Sequence, residues 1–128
     1  MRVGIAGYGV VGKTRHASIK KNTPFQIVAI SESNPSAQKS VPEGIEIFDT
    51  YQALIRDAEL DIIFISLPNK FAAEATSLSL QKGLHVFCEK PPAKTLAELI
   101  SVQDISSKNP NLKLMYGFNH RFHLSVEE

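Results

Sequence analysis

Near its start the chain runs from a short apolar segment, Val3-Gly4-Ile5-Ala6, directly into Gly7-Tyr8-Gly9-Val10-Val11-Gly12. A polar, lysine-rich stretch carrying Ala17 and Ile19 follows. Strand, G-x-G-x-x-G and helix in that order admit few folds. Gly7 permits a tight turn, Gly9 lets backbone come close to a pyrophosphate, and Gly12 lets the helix pack on the strand. The free amides of Tyr8, Val10 and Val11 at the helix start, at the positive end of its dipole, are then expected to face the anion. A tight turn in a domain that binds nothing, or binds another adenosyl ligand, uses the same glycines.

The remaining pattern alternates strand and helix. Phe25 to Ile30 is rich in β-branched residues and reads as a second strand. Ser33 to Gly44 reads as a loop with at most a short helix, and Ile45 to Phe48 as a short strand. Asp49 or Thr50 can cap a helix that runs through Asp57. Ile62-Ile63-Phe64-Ile65 is apolar on both faces, as a parallel strand buried between two helix layers must be. A helix from Asn69 to Lys82, a strand from Leu84 to Cys88, a helix from Thr95 to Ser107 with a capping box at Thr95 and Glu98, and a strand from Leu112 to Phe118 complete the reading. The expected fold class is α/β, a doubly wound parallel sheet over residues 1–118 with right-handed crossovers.

Composition narrows the partners. Of 128 residues, 21% are charged with a net charge of +1, which gives no reason to expect nucleic acid or an anionic membrane. The apolar runs are too short to span a bilayer or act as a signal peptide. The single Cys88 cannot form an internal disulfide, and these features favour a cytoplasmic setting. His120 and His123, without a cysteine or carboxylate cluster, do not suggest a metal. His85, inside a strand, reads as a satisfied core residue.

Glu32 lies at the end of the second strand, 20 residues beyond Gly12. That is the spacing of the carboxylate that bonds an adenosine ribose. It would repel a 2′-phosphate, and the adjacent Ser33 offers no guanidinium, so NAD is favoured over NADP. A lone Glu is more commonly an exposed loop carboxylate. Ser66-Leu67-Pro68-Asn69 follows the buried fourth strand, where ligands of doubly wound sheets lie. Ser66 and Asn69 are candidates to bond the cofactor, although Asn69 equally reads as the cap of the next helix.

Cys88-Glu89-Lys90-Pro91-Pro92 follows the fifth strand. A lysine on this stiff backbone is placed to hydrogen-bond a reacting hydroxyl or stabilise developing negative charge. An exposed loop lysine paired with Glu89 is the plainer alternative. Lys13 and Arg15 read as a solvated face that could steer a pyrophosphate.

The segment Gly83-Leu84-His85-Val86-Phe87-Cys88-Glu89-Lys90-Pro91 resembles the Gly-x-His-Val-x-x-Glu-Lys-Pro signature of the Gfo/Idh/MocA oxidoreductases. So do the glycine loop followed by His16, Pro68-Asn69, and Gly117-Phe118-Asn119-His120-Arg121-Phe122. The resemblance implies a Rossmann cofactor domain, NAD(P), and oxidation or reduction of a sugar, polyol or inositol carbon. It implies that Lys90 touches substrate and nicotinamide ribose, that Glu89 orients Lys90, and that Asn119 and Arg121 border the site. The usual proton-transfer residue belongs to a second, α+β domain. Residues 119–128 read as its start and the rest as missing, so this piece is expected to bind cofactor without useful turnover. At full length the enzyme is expected to be a homo-oligomer. Family members often carry His where this chain has Ala72. A stand-alone NAD-sensing module without catalysis is the alternative.

Overall fold

Strands that are apolar on both faces need helices on two sides, and the chain supplies them in alternation. The structure, a computed structural model, describes residues 1–118. Strand β1 (Arg2–Ala6) leads to α1 (Val10–Asn22), β2 (Gln26–Ser31), the one-turn α2 (Pro35–Gln38) and β3 (Glu46–Phe48). Next come α3 (Tyr51–Asp57), β4 (Ile62–Ile65), α4 (Asn69–Gln81), β5 (His85–Glu89), α5 (Leu96–Ser107) and β6 (Leu114–Gly117). The sheet order is β3-β2-β1-β4-β5-β6, and every neighbouring pair is parallel. The doubly wound α/β fold is therefore observed. The expected strands lie where they were read, with ends moved by one or two residues. One shift matters, because β5 runs on through Glu89.

Alternating side chains feed two cores. Val3, Ile5 and Ile30 pack with Ile19 of α1 on one face. Ala6, Ala29, Ile63, Val86 and Cys88 pack with Leu54, Ala72, Leu80 and Val102 on the other. Ala72 is buried in this second core. Leu96 and Ile100 of α5, Met115 of β6 and Phe118 are exposed.

The caps are specific. Thr50 Oγ1 accepts the Ala53 N–H at 3.1 Å and starts α3. Thr95 Oγ1 accepts the Glu98 N–H at 3.2 Å and starts α5, while the Glu98 carboxylate reaches the N–H of Lys94. Asn69 does not cap α4. Pro68 already holds the extended backbone of a cap residue (φ −52°, ψ 147°), so Asn69 comes one position too late and is itself helical. His85 is half-buried and satisfied, its Nδ1 accepting the Lys113 N–H at 3.0 Å.

Candidate functional site

The order of the strands reverses at β1, whose neighbours are β2 and β4, and an open α/β sheet offers its crevice at the carboxyl ends of such strands. The glycine loop sits there. Gly7 has φ +89°, and a Cβ on it would press into the Ser66 carbonyl well inside van der Waals contact. A Cβ on Gly12 would press equally hard on the Gly7 carbonyl, so α1 rests on the strand only because Gly12 has no side chain. A Cβ on Gly9 would meet nothing within 4 Å. The backbone there faces open space, beside the N-terminal amides of α1 that no intrahelical carbonyl can reach. Val10 and Val11 are exposed on that turn.

Tyr8 departs from the expectation for the loop. Its ring is buried in the α1-side core, and its hydroxyl meets His16 Nδ1 at 3.0 Å. Burial, with Lys20 nearby, lowers the pKa of His16, and burial raises that of Tyr8. The Tyr8 N–H is not free for an anion, because it donates to Glu32 Oε2 at 2.9 Å. The other Glu32 oxygen accepts the Asn34 N–H at 2.9 Å. Two backbone donors thus aim this carboxylate. A carboxylate has about four acceptor positions, so roughly two remain for hydroxyl donors.

Glu32 lies in a groove of about 510 Å³ between the glycine loop and the ends of β2, β3 and β4. Ser33, Ser66, Leu67 and Pro68 also line it, whereas Asn69 does not. The Ser66 hydroxyl oxygen is buried without a hydrogen-bond partner among the described residues. A buried orphan hydroxyl costs about 1–3 kcal/mol unless a ligand or water satisfies it. The sequence reading missed Asp49, Gln52, Tyr51 and Phe71 as groove residues. From sequence, Asp49 and Thr50 read only as candidate helix caps. The signal was their position at the end of β3, beside the ribose-side strand. The Tyr51 and Phe71 rings pack in a tilted pair with centroids 5.8 Å apart, and the Tyr51 hydroxyl donates to Glu74 at 2.8 Å. Burial, then that hydrogen bond, raises the pKa of Tyr51.

The Glu-Lys-Pro turn lies on the other side of the switch point, three strand spacings from β2, or about 14 Å. Here the structure corrects the expected pairing. Glu89 bonds Arg15 of α1, not Lys90. The Arg15 guanidinium also lies 4.8 Å over the Phe87 ring, so Arg15 packs against this turn. A Cβ on Gly117 would come within 2.7 Å of a Glu89 carboxylate oxygen, so the glycine of β6 makes room for it. Lys90 is exposed and has no ion pair among the described residues, and its peptide bond to Pro91 is cis. Cys88, beneath the turn, is fully buried, and burial pushes its thiol up to about 11. Asn119, Arg121, His120 and His123 lie outside the described residues.

These residues fit a dinucleotide. An open backbone cradle, a clamped carboxylate and an unsatisfied hydroxyl converge on one groove, and the lysine turn lies across the crevice. No helix among the described residues is long and apolar enough to cross a membrane.

Known proteins resemble this chain in sequence and fold. The chain is 33% identical to a D-glucoside 3-dehydrogenase of Escherichia coli K12 over 100% of this chain and 37% of the relative. It is 29% identical to a D-xylose 1-dehydrogenase (NADP(+)) of Haloferax volcanii, over 99% of this chain and 40% of the relative. Among solved structures, a scyllo-inositol dehydrogenase of Lactobacillus casei with bound NAD(H) and scyllo-inositol superposes with a TM-score of 0.87 at 28% identity. That match covers 98% of this chain and 38% of that one. The chain therefore spans about two fifths of the length of these relatives. The family model described as "Oxidoreductase family, NAD-binding Rossmann fold" matches residues 1–118, and the chain belongs to that family, the Gfo/Idh/MocA oxidoreductases.

Proposed function

We propose that the chain is the cofactor-binding domain of an NAD-dependent dehydrogenase acting on a sugar, polyol or inositol. The observation that carries this reading is the Glu32 carboxylate, aimed by the Tyr8 and Asn34 amides into the groove beside the glycine loop. The amides of Val10, Val11 and Gly12 hold the pyrophosphate, and Gly9 allows its approach. Glu32 accepts the ribose hydroxyls, while Ser66, Leu67 and Pro68 form the opposite wall. No Lys or Arg lines the groove among the described residues, so nothing there neutralises a 2′-phosphate, and NAD is favoured over NADP. When bound, the nicotinamide supplies hydride acceptance or donation at the substrate carbon.

The substrate end is the Glu-Lys-Pro turn. Glu89 is engaged by Arg15, which leaves the Lys90 ammonium three donors for the substrate oxygen. Lys90 hydrogen-bonds that oxygen and stabilises the alkoxide charge it carries once its proton has left and before hydride departs, or, in the reverse direction, the charge that develops as hydride reaches the carbonyl carbon. Relatives named for glucosides, xylose and inositols support a polyhydroxylated substrate.

Titrating the chain with NADH and NADPH by nucleotide fluorescence tests the reading. Saturable NADH binding, tighter than NADPH, is expected. Replacing Glu32 and Ser33 together by Arg should move the preference toward NADPH. Absence of any saturable signal at millimolar NADH refutes the cofactor reading, and an unmoved preference refutes the role of Glu32.

A further inference from the structure

Glu32 is not the only carboxylate in the groove. Asp49, at the end of β3, lines it too, and no cation lines it among the described residues. The two acids are tied together through a neutral spacer. Gln38, the last residue of α2, donates through its side-chain amide to the Glu32 carbonyl at 2.6 Å and to Asp49 Oδ1 at 2.9 Å. The turn that presents Gln38 is itself fixed, because Asn34 donates its N–H to Glu32 and caps α2 by accepting the Ser36 N–H at 2.9 Å. Hydrogen bonds thus link Asn34, Glu32, Gln38 and Asp49, and of these Glu32 and Asp49 line the groove. The partnerless Ser66 hydroxyl at the opposite wall independently marks that groove as a ligand site.

We infer that Asp49 is a second specificity-determining carboxylate, which disfavours a 2′-phosphate on the adenosine ribose, and that Gln38 is the residue that positions it. The inference rests on the cofactor reading above. The Gln38 amide spends its two N–H donors on Glu32 and Asp49, and the second Asp49 oxygen has no hydrogen bond among the described residues. Asp49 therefore has no cationic partner beside the groove among the described residues. A diol tolerates two carboxylates and can donate to them. A phosphate dianion is repelled by both, and at separations of several ångströms near a protein surface each repulsion changes an equilibrium by roughly tenfold. Because Asp49 is exposed, its share should weaken with salt.

The test measures Kd for NADH and NADPH with the 128-residue chain, its Asp49→Asn variant and its Gln38→Met variant, each at low and high ionic strength. In the unaltered chain the NADPH-to-NADH ratio of Kd should fall as salt rises. Asp49→Asn should lower that ratio about tenfold at low salt and flatten its salt dependence. Gln38→Met, close in shape but without donors, should lower it by a smaller factor. A merely structural role would weaken both nucleotides together and leave the ratio alone, and that result overturns the inference. A salt-independent ratio in the unaltered chain also overturns it, with no variant needed. If the unaltered chain binds neither nucleotide, the cofactor reading falls first. If it binds NADH normally and the ratio ignores Asp49, only the present inference falls.

Discussion

Replacing Glu32 by Gln is the sharpest probe of the site, because the side chain keeps its shape and loses one acceptor. In the structure the two carboxylate oxygens serve two different amides, those of Tyr8 and Asn34, each at 2.9 Å. A glutamine has one oxygen and one NH2 group. Whichever way it turns, one backbone N–H faces another donor. A hydrogen bond to a charged group contributes about 1.5–3 kcal/mol. Glu32 is half-buried, so water takes up part of the loss, and about 1–2 kcal/mol of stability should disappear. For a chain of this length that lowers Tm by about 4–8 °C. The ribose hydroxyls would also lose a charged acceptor, which weakens NADH by roughly tenfold to a hundredfold. Thermal unfolding and NADH titration of the same sample read the two effects separately. An unchanged Tm refutes the amide clamp, and an affinity within twofold of the parent refutes the ribose contact.

Three further outcomes are expected. Gly12→Ala should destabilise the chain by about 1–3 kcal/mol, because the new Cβ must push the Gly7 carbonyl and the α1 backbone apart, and thermal unfolding with NADH titration should show both losses. Ser66→Ala removes an unpartnered buried hydroxyl, so the ligand-free chain should be as stable or more stable while NADH binds several-fold more weakly; a destabilised ligand-free variant contradicts this account. Burial raises the Cys88 thiol from 9.0 to about 11, so its contribution to stability is complete below pH 9 and is lost as pH rises through about 11. The folded chain should accordingly resist thiol alkylation at pH 8, and its denaturation free energy should fall across that window. Rapid alkylation of the native protein would show that Cys88 is not held as described.

Much of the fold was legible because its signals are local. Val3 to Ala6 and Ile62 to Ile65 are too apolar for any place but a sheet covered on both faces, and the threonines at 50 and 95 announce their helices by the bonds they make within a turn. Two glycines of the first loop were legible for the same reason, since Gly7 is demanded by its turn and Gly12 by contact with the Gly7 carbonyl a few residues away. Glu32 was found by counting, because the length of a helix and a strand sets how far along the chain the neighbouring strand must end.

The partnerships were not legible, because they join residues that no local rule connects. Nothing in the chain's order says that Glu89 pairs with Arg15, 74 residues away, rather than with adjacent Lys90. That choice follows from where α1 and β5 lie in the sheet order and from the room left by Gly117. Nor could the sequence show that the Tyr8 amide, counted as a phosphate donor, is taken by Glu32, or that Asp49 shares a groove with it through Gln38. Sequence by itself determined the strands, the helices and the glycine turn, because those depend on side-chain period and backbone freedom over a few residues. Tertiary structure alone decided which charges meet and which are left facing the groove, because that depends on distances set by the packed sheet.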